Sequence, residues 1–150
     1  MIDPAITLRP ATNADESFLL GLRRATMTEH LERVGEPSDA AAHHARLQYR
    51  YDAARIVCLD GVAIGLLKAY RDATEWHLVQ LQIDPHYQGR GLGEQIIKTL
   101  LAGAQADALP VSLKVLKGNP AKRLYERLGF REISSDEREF HMRWQQTHQV

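Results

Sequence analysis

The sequence contains few of the features that mark disulfide-bonded, metal-bound or membrane-embedded proteins. Cys58 is the only cysteine among 150 residues, which excludes an intrachain disulfide and a metal site built from several cysteines. Basic and acidic residues number 19 each, so a strong basic field for binding nucleic acid is absent. No apolar run approaches the ~20 residues of a membrane span, and the N-terminus has no signal-peptide pattern. We therefore expect a cytoplasmic protein that binds neither membranes nor nucleic acid.

The remaining composition is that of an ordinary folded domain. Hydrophobic residues make up 44% and charged residues 25% of the chain, values typical of globular proteins. The length favours one domain over residues 1–150. The seven histidines form no metal motif such as H-E-x-x-H, so no metal is expected. Cys58 lies in a strand-like run and is interpreted as a buried, inert thiol.

Periodicity predicts the element order β-α-α-β-β-β-α-β-α-β-β, a mixed α/β (α+β) fold with helices covering a sheet. An Asp60-Gly61 turn between two apolar runs predicts a hairpin. Asn119 and Pro120 predict the start of the last helix, which Gly129 ends. The strands are expected at residues 6–9, 56–59, 62–70, 77–84, 110–116, 130–133 and 139–144, and the helices at 15–33, 38–50, from 92 and from 120.

The most informative stretch is the glycine-rich turn Gln88-Gly-Arg-Gly-Leu-Gly93, which follows a strand and opens a helix. Glycine allows a ligand to approach the backbone closely, and the unpaired N–H groups at a helix N-terminus attract phosphate. A nucleoside-triphosphate loop requires Lys and then Ser or Thr after its last glycine, whereas Glu94 follows here. The glycine spacing also differs from the G-x-G-x-x-G fingerprint of dinucleotide-binding folds. The turn therefore predicts a phosphate-bearing ligand of another kind.

Two segments together resemble the Gcn5-related N-acetyltransferase (GNAT) family. Residues 81–93, LQIDPHYQGRGLG, resemble the family's acetyl-CoA-binding signature, with Gln88, Gly91 and Gly93 on its Gln/Arg-x-x-Gly-x-Gly/Ala element. Residues 119–130, NPAKRLYERLGF, resemble its Asn…Leu-Tyr-Glu-x-x-Gly-Phe segment. The resemblance implies a mixed, mostly antiparallel central sheet covered by helices on both faces. It covers residues 56–131 well and the first 55 residues by element order alone.

The resemblance also implies how acetyl-CoA is held as co-substrate. The strand before the turn would pair with the pantetheine arm through its backbone, and the turn would hold the diphosphate. Arg90 would add charge near the phosphates, or is a solvated surface arginine. Asn119 would contact the pantetheine arm, cap its helix, or do both. The implied binding residues are Leu81, Gln82, Ile83, Gln88, Gly89, Arg90, Gly91, Leu92, Gly93, Glu94 and Asn119.

Tyr125 is the residue implied to act on the leaving thiolate, because a phenol can donate a proton or a hydrogen bond to sulfur. The general base is less well defined. His77 stands where some relatives place a glutamate, and it has a suitable side chain. Glu75 is the second candidate, Lys114 stands where other relatives place an acid, and water alone is a further alternative.

The function implied is transfer of the acetyl group of acetyl-CoA to a primary amine by direct attack in a ternary complex. The acceptor amine is unidentified: a small molecule, a peptide N-terminus and a lysine side chain stay open. A non-catalytic acyl-CoA-binding module and an interaction scaffold are the alternatives. The resemblance also allows a homodimer.

Overall fold

The computed structural model describes residues 5–146, and its element order is the predicted one. A short 3₁₀ turn, Asn13–Asp15, precedes the first helix. The strands are β1 (Ile6–Pro10), β2 (Ala54–Leu59), β3 (Val62–Arg71), β4 (Trp76–Ile83), β5 (Val111–Leu116), β6 (Arg131–Ser135) and β7 (Glu139–Trp144). The helices are α1 (Glu16–Arg33), α2 (Ala40–Gln48), α3 (Leu92–Ala106) and α4 (Ala121–Arg127).

The strands form one 7-stranded sheet in the order β1-β2-β3-β4-β5-β7-β6. Every neighbouring pair is antiparallel except β4 and β5, which are parallel and are joined through α3. The predicted Asp60-Gly61 turn is confirmed, and both residues have positive φ, 50° and 81°, as a two-residue hairpin requires. The mixed, mostly antiparallel sheet predicted from the sequence is thereby confirmed.

Two apolar clusters hold helices to the sheet. The larger cluster packs Ile96, Ile97 and Leu101 of α3 and Tyr125 of α4 against β3, β4, β5 and β7. The smaller cluster packs α1 and α2 against β2 and β3, and it includes Leu47. These contacts follow from the helical spacing of the apolar residues, which gives each helix one face to bury.

The parallel pair β4–β5 separates partway along its length. Pairing covers Trp76–Leu78 with Val111–Leu113, and the rest of β5 pairs with β7 instead. From Gln80 onward, β4 has a partner on its β3 side alone within the described residues. A fork therefore opens between the second half of β4 and the end of β5.

A β-bulge marks the point where this fork begins. Lys68 on β3 faces Gln80, whereas the next residue, Ala69, faces Leu78. Val79 is therefore an extra residue without a partner on β3, and such a bulge redirects the backbone groups of its strand.

Several predicted helix boundaries differ by a residue or two. α1 begins at Glu16, one residue later than predicted, with Asp15 at its N-cap position, and the Asp15 carboxylate accepts from the Thr12 N–H at 2.8 Å. α4 begins at Ala121, one residue later than predicted, although the Asn119 side chain still accepts from the Ala121 N–H. Differences of this size are normal at helix ends.

α2 is shorter than the helix expected at residues 38–50, and most of its residues are exposed, although two side chains on its inner face are buried. It ends at Gln48, and its N-cap Asp39 accepts from the Ala42 N–H at 2.8 Å. Leu47 is fully buried and His43 is 1% exposed. The weak apolar pattern concealed this, because a single leucine and a histidine supply most of the buried surface.

Candidate active site

A cleft of about 380 Å³ lies where β4, the glycine-rich turn, α3 and α4 meet, and α1 closes one side. We call it the glycine-turn cleft. It brings together eleven of the residues predicted from the sequence: Leu81, Gln82, Ile83, Gln88, Gly89, Gly91, Leu92, Gly93, Glu94, Asn119 and Tyr125. The two sequence motifs, about 25 residues apart, thus converge on a single site.

The turn presents an open helix N-terminus to this cleft. Gly91 is the N-cap of α3, with φ 76°, and no side chain caps the helix. Gly89 also has positive φ, 79°, and a Cβ at either glycine would meet nothing within 4 Å. The Gln88 side chain donates to the Ile83 carbonyl at 2.9 Å, which ties the turn back to β4. The first N–H groups of α3 therefore face a space that can take an anion.

The second half of β4 lines the same cleft with an unpaired backbone edge. Leu81, Gln82 and Ile83 lie beyond the point where β5 separates. The Gln82 Oε1 atom is buried and has no hydrogen-bond partner in the part of the chain that the structure describes, which is costly unless a donor reaches it. An extended ligand with amide groups would satisfy such an edge in the way an added strand does.

Tyr125 and Asn119 reach the cleft from α4 and the loop before it. Tyr125 is 8% exposed, packs edge-on against Phe130, and makes no hydrogen bond through its hydroxyl within the described chain. Burial raises the pKa of Tyr125 to about 12, so its hydroxyl remains a donor throughout the neutral range. Asn119 uses Oδ1 to cap α4, which leaves its amide N–H groups free for a ligand.

Arg90 is not part of the cleft wall. Its guanidinium carbon lies 5.1 Å from the centre of the Tyr87 ring, and its side chain is exposed. Arg127 of α4 lines the cleft instead and lies 3.6 Å from Glu94. Nothing in the sequence distinguishes Arg127, because one charged residue on a short helix carries no pattern of its own.

His77 lies in a different cavity, of about 400 Å³, on the side of β4 that faces the end of α2. We call it the second cavity. Its Nε2 lies 2.8 Å from Asp72 and its Nδ1 3.6 Å from Glu75, and the ring stacks on Tyr70 with a centroid distance of 4.7 Å. Both ring nitrogens thus face carboxylates. A catalytic role for His77 stays a prediction, and direct proton abstraction requires the ring to leave one of these contacts.

The two cavities are lined by successive stretches of β4. Leu78 and Val79 line the second cavity, and Leu81–Ile83 line the glycine-turn cleft. The bulge and the fork therefore lie between a site that can hold an extended phosphate-bearing ligand and a site that can hold another molecule.

Lys68 is a buried feature that the sequence analysis missed. It is fully buried, and its ammonium donates to the carbonyls of Arg46, Leu47 and Tyr49 at 3.4, 2.8 and 2.6 Å. A cation at the carbonyl end of a helix is stabilised by the helix dipole, so Lys68 fixes the end of α2 beside the second cavity. Burial, followed by repulsion from Arg46, lowers the pKa of Lys68 to about 8.

Within residues 5–146, no three His, Cys, Asp or Glu side chains are placed to hold a metal ion. In the same range, no helix is long and apolar enough to cross a membrane. Cys58 is buried in β2, as predicted.

Comparison with known proteins identifies relatives of this chain. The family model described as an acetyltransferase (GNAT) domain matches residues 27–147. A GCN5-like protein acetyltransferase of Mycobacterium tuberculosis is 43% identical over 70 residues, which are 45% of this chain and 32% of that protein. The matched part thus spans about a third of the curated relative.

Solved structures share the fold over nearly the whole chain. An acetyltransferase from Thermus thermophilus superposes with a TM-score of 0.75 and 24% identity, over 97% of this chain and all (100%) of that one. The PaiA N-acetyltransferase of Thermoplasma acidophilum, in complex with coenzyme A, gives 0.72 and 17%, over 94% and 99%. The ribosomal-protein-S18-alanine N-acetyltransferase of Escherichia coli gives 0.69 and 17%, over 97% and 96%.

At these identities the structural likeness shows the fold, and the family model covers most of the sequence, including both motifs. The chain therefore belongs to the GNAT acetyltransferase family.

Proposed function

We propose that this protein is an acetyl-CoA-dependent N-acetyltransferase that moves the acetyl group to a primary amine by direct attack in a ternary complex. The observation that carries the proposal is the convergence of an uncapped helix N-terminus, an unpaired strand edge and the hydroxyl of a buried tyrosine on one cleft. The relatives named as N-acetyltransferases, one of them in complex with coenzyme A, support it.

The residues of the glycine-turn cleft fit acetyl-CoA, which would supply the activated acetyl thioester. The backbone N–H groups from Gln88 to Glu94 would bind the diphosphate, and their approach is open because Gly89 and Gly91 carry no side chain. The edge at Leu81–Ile83 would pair with the pantetheine amides. The free amide N–H groups of Asn119 would donate to the same arm.

Tyr125, the proposed general acid, would act on the departing sulfur mainly as a hydrogen-bond donor. The amine nitrogen bonds to the thioester carbonyl carbon, the C–S bond breaks, and the Tyr125 hydroxyl donates a hydrogen bond to the thiolate. With a pKa of about 12 for Tyr125, complete proton transfer to a thiolate of pKa ~8.5 is uphill by roughly 5 kcal/mol. The hydrogen bond itself therefore provides the main stabilisation.

The carbonyl oxygen would be stabilised by the irregular backbone of β4. The bulge that distorts this backbone lies at Val79. A backbone N–H freed from strand pairing is a suitable donor to a developing oxyanion. We therefore place the thioester carbonyl at Val79, between the two cavities, with the amine approaching through the second cavity.

Proton removal from the amine stays assigned to His77, with Glu75 as the second candidate. A protonated amine of pKa ~10.4 needs ~4–5 kcal/mol to lose its proton at pH 7. Both side chains line the second cavity, from which the amine would approach. Because both His77 nitrogens face carboxylates, proton transfer through a water molecule fits the geometry better than direct contact.

The test combines binding and turnover on one sample. Calorimetry measures the affinity of the cleft for CoA and acetyl-CoA. Thiol release over a panel of amines measures the rate of acetyl transfer. Saturable binding with amine-dependent thiol release supports the proposal. Binding without release on any amine favours a non-catalytic acyl-CoA-binding module, and absence of both removes acyl-CoA from the function.

A further inference from the structure

The wall of the second cavity carries an excess of positive charge. Arg46, Lys114 and Arg143 line it together with a single carboxylate, Glu75. Arg143 lies 3.2 Å from the Glu75 carboxylate, and Ser112 donates to the same oxygen at 3.0 Å. Glu75 and Arg143 therefore neutralise each other, and the charges of Arg46 and Lys114 remain.

Arg46 and Lys114 have no carboxylate partner among residues 5–146. The Arg46 guanidinium lies 5.2 Å from the centre of the Tyr49 ring, so an aromatic face rather than an acid positions it. Lys114 is an exposed side chain on β5. Both cations are thus available to a ligand in the cavity.

Two more cations, Arg23 and Lys68, are buried near Arg46 and form no ion pair with a carboxylate among the described residues. Arg23 is 6% exposed and its Nε atom has no hydrogen-bond partner, while Lys68 donates to backbone carbonyls alone. Burial and then the charge of Arg46 lower the pKa of both groups. The Asp52 carboxylate opposes this effect at Lys68, but by less than either guanidinium contributes. Buried charges that lack partners are costly, and an anion in the cavity would reduce that cost.

Glu75, the carboxylate that lines the cavity, and Asp72, which does not line it, are both engaged by His77. Asp72 and Glu75 both face His77, at 2.8 and 3.6 Å. They form a separate polar region next to the start of β4. The cavity thus has a cationic part, at Arg46 and Lys114, and a part with carboxylates and an imidazole.

We infer that the acceptor is an amine that also carries a carboxylate, as a free amino acid does. The carboxylate would be neutralised by Arg46 and Lys114, and the amine would lie toward His77 and the bulge at Val79. Arginine matches a carboxylate with paired N–H donors, and lysine adds a point charge. A volume of about 400 Å³ suits a small molecule of this kind. This inference rests on the proposed acetyl transfer and names its substrate class.

The experiment compares free amino acids with their carboxamides as acceptors. Glycine, alanine, methionine, phenylalanine and glutamate would each be paired with the corresponding amide, at saturating acetyl-CoA. The amide lowers the amine pKa and so provides more free amine at neutral pH, which means that basicity alone favours the amide. We expect kcat/KM to favour the acids by more than tenfold, and the preference to shrink in high salt.

Variants that remove one positive charge test which residues cause the preference for acids. Arg46→Gln and Lys114→Gln should each reduce the preference for acids about fivefold or more, with the KM for acetyl-CoA unchanged. Arg55→Gln is the matched control, because Arg55 is an exposed arginine on β2 outside both cavities. It should keep the wild-type preference.

Acetylation of carboxamides as fast as of acids, acetylation of amides alone, or acetylation of neither overturns the inference. A preference that survives in both cavity variants overturns it as well, because the charges named here would then not be responsible. Calorimetry with CoA on the same samples distinguishes failure of the acceptor inference from failure of the proposed function. Normal CoA binding with no preference for acids removes the acceptor class alone, whereas loss of CoA binding in the wild type removes the proposed function.

Discussion

Tyr125 combines burial with access to the cleft, and that combination gives it a testable role. Tyr125→Phe removes one oxygen and leaves the packing on Phe130 in place. We expect kcat to fall about 100-fold, in the range of general acid catalysis, while the KM for acetyl-CoA changes less than twofold. Steady-state kinetics of thiol release provides the measurement.

Tyr51→Phe is the matched control for that substitution. The Tyr51 hydroxyl donates to the Thr12 carbonyl at 2.7 Å, outside both cavities. Its loss should cost about 1 kcal/mol of stability with kcat unchanged. An equal kcat in wild type and Tyr125→Phe would remove Tyr125 from the chemistry.

Lys68 gives a prediction for the pH dependence of stability. Its pKa is lowered from 10.5 to about 8 in the folded state, so between these values the unfolded chain binds more protons than the folded one. Stability from this group therefore rises with pH over that window. The difference in unfolding free energy between wild type and Lys68→Met should grow in favour of wild type from pH 8 to pH 10. Urea titrations across this range would show it, and a constant difference would contradict the assignment.

Single residues differ in how well their position in a site can be predicted from the sequence. The position of Gln88, Gly91 and Tyr125 in the glycine-turn cleft could be predicted, because each stands at a fixed place in one of the two motifs. Lys68 and Arg127 could not, because their roles depend on which helix end or cavity lies next to them. His77 was located in the correct strand, but its two carboxylate neighbours come from the turn before that strand.

At the level of elements, the turn before α3 can be tested with a matched pair of glycines. Gly91 and Gly61 have φ of 76° and 81°, and a Cβ at either would meet nothing within 4 Å. Replacement by alanine should therefore cost both variants a similar ~1 kcal/mol of stability, from backbone strain alone. Gly91→Ala should also weaken CoA binding about tenfold, because the added methyl lies where the diphosphate would approach. Calorimetry that shows equal CoA affinity for the two variants would contradict the placement of the diphosphate.

The β3–β4 pair depends on a close approach at Gly65. A Cβ there would lie 2.5 Å from the Gln82 carbonyl oxygen, which is backbone and has little room to move. Gly65→Ala should lower the unfolding free energy by about 1–3 kcal/mol, as overpacking does, and Tm by about 2–4 °C per kcal/mol. Gly103→Ala, at an open position in α3, should instead raise stability by up to ~1 kcal/mol. Thermal unfolding of both variants tests this prediction. Destabilisation by both substitutions would show that the close approach at Gly65 is not the cause of the loss of stability.

The elements themselves were largely predictable, since apolar periodicity, the Asp60-Gly61 turn and the helix-ending Gly129 are local signals. Local signals did not predict how the elements pack against and pair with each other. The burial of α2 depends on its packing beside α1 rather than on its own apolar face. The bulge at Val79 arises from pairing between two strands, and nothing in the residues around it specifies where the extra residue falls.

The molecule as a whole is organised around one strand. β4 is paired with β5 at its start, bulged at Val79 and unpaired on one edge near its end. One half lines the second cavity and the other lines the glycine-turn cleft. Sequence motifs predicted the residues of the glycine-turn cleft, whereas the second cavity is assembled from several elements, including α2, β3, β4, β5, β6 and β7, and has no motif. The charges on the wall of the second cavity could therefore not be predicted from the sequence.

The seating of CoA against the glycine-rich turn is tested most directly by following backbone amide signals by NMR during titration with CoA. We expect saturable shifts, largest for residues 81–83 and 88–94, with smaller changes around the second cavity. If saturating CoA leaves the amides of these two segments unmoved, the proposed cofactor site is wrong.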